Sequence, residues 1–419
     1  MTATPTPTLY RRLALLTQGG HDIYRNKTAM GMLRFRPDDV VCVVDANHAG
    51  EDLQALTGAG AGIPIVATVQ EAVGLGIDWV VIGIATPGGL LPDELRLQVY
   101  DAIKQRVGVI SGLHESVTGD PNVVSLAARY AVELVNLRKL PNEDFPIGTA
   151  QARHTSAFRV LVVGTDASIG KTTTALELTR HLEARGINAR FVSTGQDGKL
   201  VTGRGICIDR VISNFASGAV EGLVTSEAKL GDILIIEGQD GLLSPPYSGV
   251  ALSLLHGSCP DAMVLCHAPT RTVHRHTDVP IPPLPAYRRL YEDMLAPLHP
   301  GKVIAVALNT LGLDAKTAQA EIAAASKSTG LPCVDVVRVL PGNGGCEELA
   351  NAVLAAWEAA GSARRVTAKA ARKTSKKSRA KKTKANKTVS PATKKAVKPA
   401  TKPATKPAVR KNVKKVTKR

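Results

Sequence analysis

Aromatic residues are scarce in this chain, at 3% of 419 residues, although hydrophobic residues of all kinds reach 44%. We therefore expect interiors packed with Leu, Val, Ile and Ala rather than with rings. The six cysteines form no Cys-x-x-Cys pair, which argues against a zinc site and a disulfide framework and favours reduced thiols in a cytoplasmic protein. No apolar run reaches the ~18 residues that a membrane span needs, and the N-terminus is polar, so neither a membrane partner nor export is predicted.

Acidic residues are absent from the C-terminal stretch. Residues 363–419 hold 23 Lys and Arg and no Asp or Glu, so the formal net charge of +17 belongs to this stretch. The remaining 30 Lys and Arg stand against 36 Asp and Glu, which leaves the preceding part mildly acidic, at −6. Lys, Ala, Thr and Pro bury too little apolar surface to fold, so residues 362–419 are predicted to be a disordered basic tail. Its charge suits non-specific nucleic acid or another polyanion, and a solubilising appendage is the alternative.

Alternating strand and helix patterns precede this tail. They predict an N-terminal Rossmann-like domain over 1–140, a linker over 141–157 and a P-loop domain over 158–361, each domain an α/β fold with a parallel sheet. In the first domain a helix is predicted over Lys27–Arg34, and the predicted strands are Leu13–Leu16, Val40–Val44, Ile63–Val66, Trp79–Ile84 and Val107–Ile110.

The second domain has the longer alternation. Its predicted strands are Val160–Val163, Ala189–Ser193, Ile233–Ile236, Ala262–Cys266, Val303–Ala307 and Val334–Val337. Its predicted helices are Thr172–Glu183, Arg210–Leu223, Leu284–Leu298, Asp314–Ser328 and Glu347–Ala359.

A glycine-rich loop with a Gly-Lys-Thr end follows the first strand of the second domain and opens a helix. Backbone amides of such a loop cradle phosphates, its lysine adds charge and its hydroxyl binds Mg²⁺. Five residues, not the standard four, separate Gly164 from Gly170, a spacing that resembles the dethiobiotin synthetase and MinD-like branch of P-loop proteins. We expect Lys171 to face solvent. The predicted nucleotide-binding residues are Gly164, Thr165, Asp166, Ser168, Gly170, Lys171, Thr172 and Thr173.

Carboxylates follow two of the predicted strands. Glu237 ends an apolar strand, and an acid there can hold Mg²⁺ opposite Thr172. An acid that merely ends the strand is the alternative. Asp197 follows the preceding strand and is a second candidate for the metal or a γ-phosphate. The predicted magnesium ligands are therefore Thr172, Glu237 and Asp197.

Other charged and imidazole side chains lie near strand ends, where ligands collect in parallel sheets. Arg271 is a candidate partner for a substrate carboxylate, and His267 is a candidate base for deprotonating an amine. Lys171 completes the predicted catalytic set. Further candidates are His256, Lys27, His114 and Glu115, for which a purely structural role is the alternative.

Several short motifs together resemble one family. They are Gly164-Thr165-Asp166, Gly170-Lys171-Thr172, Thr194-Gly195-Gln196, Ile236-Glu237-Gly238-Gln239, Pro246-Tyr247-Ser248-Gly249-Val250, Leu255-His256-Gly257-Ser258, Pro260-Asp261-Ala262 and Cys266-His267. Over 13–359 the chain resembles the two-domain P-loop family catalogued as domain of unknown function sixteen-eleven, with its D-glutamate N-acetyltransferase-like members. Asp240-Gly241 stands where the family pattern has Gly-Ser, and Ser244 where it has His.

The resemblance implies an enzyme that acetylates the amine of D-glutamate or a similar small acidic amino acid. Acetyl-CoA would be the donor, with ATP or another nucleotide and Mg²⁺ at the phosphate loop. Residues 62–73 also resemble the CoA-binding domain of succinyl-CoA ligases, although a generic strand-to-helix joint has the same pattern. The alternatives are an ATP-dependent carboxylate–amine ligase like dethiobiotin synthetase, and a nucleotide-switched protein that its tail docks on DNA. We also expect a homo-oligomer.

Overall fold

The computed structural model describes residues 9–17, 26–141, 144–338 and 345–361, and the predicted tail lies outside these described residues. Up to Ala359 the chain forms one compact unit that contains two parallel sheets. The prediction of two α/β domains, Rossmann-like and then P-loop, is confirmed. No helix in the described ranges is long and apolar enough to cross a bilayer.

The first sheet has six parallel strands in the order β3-β2-β1-β4-β5-β6. The order reverses direction between β1 and β4, a switch point beside which parallel sheets bind ligands at their carboxyl ends. The strands are β1 Leu13–Leu16, β2 Val40–Val44, β3 Ile65–Val66, β4 Trp79–Ile82, β5 Gly108–Ser111 and β6 Leu134–Asn136. The helices are α1 Lys27–Phe35, α2 Leu53–Thr57, α3 Val69–Gly74, α4 Asp93–Lys104 and α5 Pro121–Tyr130.

The second sheet also has six parallel strands, in the order β12-β11-β10-β7-β9-β8. Its central strands are buried along their whole length and, apart from Arg159 and Glu237, are largely apolar, as expected for a sheet that helices cover on both faces. The strands are β7 Phe158–Gly164, β8 Ala189–Val192, β9 Ile233–Glu237, β10 Ala262–His267, β11 Lys302–Leu308 and β12 Cys333–Asp335. The helices are α6 Lys171–Ala184, α7 Gln196–Thr202, α8 Ser213–Glu227, α9 Ser248–Ser258, α10 Leu284–Leu295, α11 Ala315–Thr329 and α12 346–361.

Two predicted strands of the first domain are shorter in the structure. The strand predicted from Ile63 begins at Ile65, because Pro64 has no backbone N–H to donate to a neighbouring strand. The strand predicted to Ile84 ends at Ile82. The chain then turns away at Gly83, where a Cβ atom would lie 2.9 Å from the Cβ of Ala29 on α1.

The sequence prediction also missed α7 and α9. Asp197 was predicted only to follow a strand, whereas it lies in α7, which is two turns long and contains Gly198. Helix α9 is built from small and apolar residues on every side, so it lacks the alternation that marks an amphipathic helix. Helix α8 begins at Ser213, not at Arg210, because a short 3-10 turn occupies Ile208–Arg210.

Helix α1 of the first domain contacts the second domain directly. The Arg34 guanidinium donates to the carbonyls of Val336 and Val337, both at 2.7 Å, and its Nε lies 2.6 Å from a Glu177 carboxylate oxygen on α6. Arg36 Nη1 donates to Leu200 O on α7 at 3.0 Å. These charge-assisted bonds fix α1 beside the phosphate loop and α7.

Candidate functional site

The phosphate loop joins β7 to α6 at the carboxyl end of the second sheet. The chain leaves β7 at Gly164, passes through left-handed backbone at Ser168 (φ 55°) and Gly170 (φ 101°), and enters α6 at Lys171. A helix that opens in this way directs its first N–H groups and its positive dipole end to the space in front of it. That space suits a phosphate.

Two tyrosine hydroxyls on α10 hold the start of this loop. Tyr291 donates to Gly164 O at 2.7 Å, and Tyr287 donates to Thr165 O at 3.0 Å. Both rings are almost completely buried. The loop therefore has a rigid support that its own sequence does not reveal.

Lys171 is buried, and the expectation that it faces solvent is wrong. It is 6% exposed, and its Nζ donates to Asp166 O at 2.5 Å. The side chain folds back under the loop so closely that a Cβ on Gly164 would lie 3.0 Å from its Cδ. Burial lowers the pKa of Lys171, and the Asp240 carboxylate partly opposes this. A bound phosphate would offer the ammonium the negative charge that a backbone carbonyl only partly supplies.

The Glu237 carboxylate connects the phosphate loop to the end of β8. It is 1% exposed and accepts hydrogen bonds from Thr172 Oγ1 (2.7 Å), Thr194 N (2.9 Å) and Gly195 N (3.1 Å). Burial raises the pKa of Glu237, against the effect of these bonds.

The Thr172–Glu237 pair fits Mg²⁺ in its donor chemistry. Mg²⁺ prefers oxygen ligands and keeps several waters. Thr172 would bind the ion directly, and Glu237 would accept from its waters once the hydroxyl bond between the two residues opens. Within the described ranges no group of three or more His, Cys, Asp and Glu could hold a metal ion alone, so phosphate and water oxygens would complete the set.

Asp197 is engaged with the first domain. Its carboxylate accepts from Thr28 Oγ1 at 2.5 Å and pairs with Lys27 Nζ at 3.1 Å. The structure thus brings Lys27, another candidate from the sequence, to the same place. The metal role of Asp197 stays a prediction, and its observed contacts are with Lys27, Thr28 and Gln196.

Arg271 lies against the loop acid. Asp166 is fully buried and accepts from Arg271 Nη1 at 2.6 Å and from Arg275 N at 2.9 Å. Arg271 thus supports the loop from one side. It is not among the described residues that line the cavity in front of the phosphate loop. Its predicted bond to a substrate carboxylate stays a prediction.

A cavity of about 660 Å³ lies in front of the phosphate loop. This volume is within the range of roughly 300–1,000 Å³ that small-molecule sites occupy. The loop and the start of α6 line it, as do residues of α1, and Asn309 and Leu311 after β11 line it as well. Thr172, Thr173 and Asp197 all line it, so the structure gathers these predicted residues around one space.

Comparison with known proteins identifies the family. Residues 146–343 match the model described as "Domain of unknown function (DUF1611_C) P-loop domain". Residues 46–140 match "Domain of unknown function (DUF1611_N) Rossmann-like domain". The chain belongs to the DUF1611 family.

Relatives of this DUF1611 protein include two curated enzymes and one solved structure. The chain is 34% identical over 324 residues to a D-glutamate N-acetyltransferase of Tritonibacter scottomollicae, covering 76% of this chain and 92% of the relative. It is 36% identical over 275 residues to a D-glutamate N-acetyltransferase of Pseudoalteromonas sp, covering 65% of this chain and 81% of the relative. The crystal structure of a DUF1611 protein from Anabaena variabilis is 37% identical, with a TM-score of 0.76, over 82% of this chain and 99% of that one.

Sequence reasoning missed several residues of the DUF1611 site. Arg34 and Asn309 line the cavity from elements far apart in the chain, and no local motif marks them. Asp240 also lines it and has left-handed backbone (φ 46°), and its pKa is raised by burial while Lys171 and Lys27 oppose this. The only available signal was that Asp240 departs from the family pattern.

His267 ends β10 beside the start of the loop, with its Nδ1 2.9 Å from Thr165 Oγ1. Burial, with the charge of Arg271, lowers its pKa to about 4. The imidazole is therefore neutral at pH 7 and would hold an accepted proton only weakly. Like Arg271, it is not among the described residues that line the cavity, and its role as a base stays a prediction.

We expect His267 to make the fold less stable as pH falls from about 6.5 to about 4. Between these pH values the imidazole is protonated in the unfolded chain and neutral in the folded protein, because the pKa of His267 in the folded protein lies below the ordinary value. One pKa unit corresponds to about 1.4 kcal/mol, so the loss is on the order of 3 kcal/mol. Urea unfolding at pH 7 and pH 4.5 measures it. His267→Asn should lose less stability between the two pH values, and an equal loss would contradict the assignment.

Glu237→Gln should lower both the melting temperature and the magnesium response. The carboxamide of glutamine has one acceptor oxygen, and its NH₂ group replaces the other carboxylate oxygen, to which Thr172 or the amides of Thr194 and Gly195 donate. Each buried donor left without an acceptor costs about 1–3 kcal/mol. We expect Mg²⁺-dependent activity to fall more than nucleotide affinity. Thermal unfolding and Mg²⁺ titrations test this, with Glu183→Gln on the exposed side of α6 as the control. Equal losses of affinity and activity would argue against a metal role.

Proposed function

We propose that this DUF1611 protein is an N-acetyltransferase that transfers the acetyl group of acetyl-CoA to the amine of D-glutamate or a similar small acidic amino acid. The observation that carries the proposal is the similarity, at 34% and 36% identity, to two proteins named D-glutamate N-acetyltransferase. One of these relatives is covered over 92% of its length, so both domains take part in the match.

The cavity at the phosphate loop supports a donor that carries phosphates. The loop, the start of α6 and the Lys171 ammonium suit a diphosphate, and acetyl-CoA and ATP both contain one. Mg²⁺ bound between Thr172 and phosphate oxygens would neutralise further charge there. We assign this cavity to the acetyl-CoA diphosphate, or to ATP or another nucleotide that acts beside it.

The proposed reaction forms one bond and breaks one bond. The amine nitrogen attacks the thioester carbonyl carbon, the C–N bond forms, and the C–S bond breaks. The substrate ammonium loses two protons in all, of which one ends on the CoA sulfur and one is released. The role of His267 as the base for this proton stays a prediction, and its lowered pKa makes it a weak base.

Product analysis with the full chain tests the function. We expect free thiol to appear with acetyl-CoA and D-glutamate together, but not with either alone, and we expect mass spectrometry to find the N-acetylated amino acid. Thiol release should not require formation of ADP. ADP and phosphate formed in step with an amide would instead indicate a ligase. Neither product, together with nucleotide-dependent DNA binding, would indicate a switch protein.

A further inference from the structure

A second cavity, of about 550 Å³, lies where the carboxyl ends of the two sheets face each other. From the first domain it is lined by Thr86 after β4, His114 after β5 and Arg138 after β6. From the second domain Arg275 and Tyr247 line it. Ligands bind at the carboxyl ends of parallel strands, and here two such ends share one space.

The side chains of this cavity are mostly polar and charged. Arg138 forms an ion pair with Asp209, and His114 Nε2 lies 3.4 Å from the same carboxylate. The charges of Arg138 and Asp209 therefore largely cancel each other. Arg275 lines the cavity from the second domain, and its Nη1 donates to Ser168 Oγ at 2.7 Å. A guanidinium has five N–H donors, so this bond leaves donors for a carboxylate.

Two more charged groups lie at the boundary between the two cavities. Lys27, Ala167, Ser168, Gln239 and Asp240 line both of them. Lys27 Nζ pairs with the Asp197 carboxylate at 3.1 Å, and Asp197 lines the first cavity but is not among the described residues that line the second. Three cations, Lys27, Arg138 and Arg275, line the second cavity. They stand against the carboxylates of Asp209 and Asp240, which also line it, and of Asp197, which pairs with Lys27. Both signs of charge are therefore present, as a ligand that carries carboxylates and an ammonium group requires.

We propose that the second cavity binds the amino-acid substrate, with Arg275 and Lys27 facing its carboxylates and Asp240 facing its ammonium group at the boundary with the phosphate-loop cavity. This inference rests on the proposed function, because it names the site of the acceptor in that reaction. An acidic amino acid has two carboxylates and one ammonium group, which is the charge pattern that Arg275, Lys27 and Asp240 complement.

The shared boundary also sets where the two substrates meet. A donor held by the phosphate loop can reach the second cavity past Ser168 and Asp240, which line both spaces. An amine beside Asp240 would then face the incoming thioester. The competing assignment places the acyl arm of the donor in the second cavity, and it makes the opposite prediction for the variants below.

Two arginine variants separate these assignments. Arg275 lines only the second of the two cavities, and Arg338 lines only the first. Losing a charge-assisted hydrogen bond costs about 1.5–3 kcal/mol, which corresponds to roughly 10- to 100-fold. We expect Arg275→Gln to raise the KM and the Kd for D-glutamate by that factor while changing the Kd for acetyl-CoA less than about threefold. Arg338→Gln, the matched control, should leave the Kd for D-glutamate unchanged. Arg275→Lys, which keeps the charge, should recover part of the affinity.

Direct titration of D-glutamate into the full chain keeps this test separate from the test of function. If D-glutamate binds and Arg275→Gln weakens it, the cavity assignment stands even when no acetyl group is transferred. If acetyl transfer occurs but Arg275→Gln affects only acetyl-CoA, the assignment is overturned and the function survives. Absence of D-glutamate binding overturns the assignment. Thermal unfolding identifies a misfolded variant, and Arg275→Lys then serves in its place. A partial loss of D-glutamate affinity is expected for Arg275→Lys, and an unchanged affinity would contradict the assignment.

Discussion

Replacing Lys171 by alanine should weaken binding of the phosphate ligand by at least about 30-fold and leave the fold intact. Removing one partner of a buried charge pair costs about 2–5 kcal/mol. The unliganded protein gains little from this lysine, because burial lowers its pKa and, among the described residues, a backbone carbonyl rather than a carboxylate accepts from its Nζ. We therefore expect an unchanged or slightly higher melting temperature without ligand.

Calorimetric titration of ATP and of acetyl-CoA into wild type and Lys171→Ala measures the effect, and it shows which of the two ligands the loop holds. Lys104→Ala on α4 is the control, because that lysine is exposed and pairs with Asp101 on its own helix. Unchanged affinity for both ligands in Lys171→Ala would contradict the assignment of the phosphate loop to the binding site.

Deleting residues 363–419 should abolish affinity for nucleic acid and leave acetyl transfer and the melting temperature nearly unchanged. The stretch carries 23 Lys and Arg without an acid, whereas the rest of the chain is net −6 and should repel a phosphate backbone. Binding by counterion release has a log–log salt slope of about −0.9 for each phosphate contacted. With 6–10 contacts the affinity of the full chain should fall by about 10³ to 10⁵ between roughly 50 and 200 mM salt.

Fluorescence anisotropy with duplexes of two unrelated sequences measures this, and we expect no preference between them because the tail lacks aromatic side chains for stacking on bases. A tail of the same length with glutamine at every lysine and arginine separates charge from length. Tight binding by the truncated chain at about 200 mM salt would place a nucleic-acid site inside the folded domains.

Patterns that are local in sequence predicted much of the fold. The strand before Gly164 and the helix after it follow from an apolar run and a Gly-Lys-Thr turn, and Glu237 at the end of β9 follows from the same logic. The observed ends of helices and strands differ by a few residues from the predicted ends where a tertiary contact sets them. Gly83 is an example, since the close approach of α1 ends β4 there and the sequence of β4 alone does not reveal it.

The contacts that shape the site are long-range and could not be predicted from local patterns. Thr28 bonds to Asp197 across 169 residues, and Arg34 reaches Val337 across 303. Lys171 was expected at the surface because a single sequence does not show how closely a loop folds over a side chain. Arg271 was assigned to a substrate from its place near a strand end, and its ion pair with the buried Asp166 spans 105 residues of sequence.

The fate of the acetyl carbon tests the central claim most directly. Full-length protein is incubated with acetyl-CoA labelled with ¹³C at the carbonyl and with D-glutamate, and carbon NMR follows the label over time. We predict that the thioester resonance disappears as an amide resonance of N-acetylglutamate appears, at equal rates and without ATP consumption. A label that stays in the thioester, or that appears only as acetate, would contradict the account.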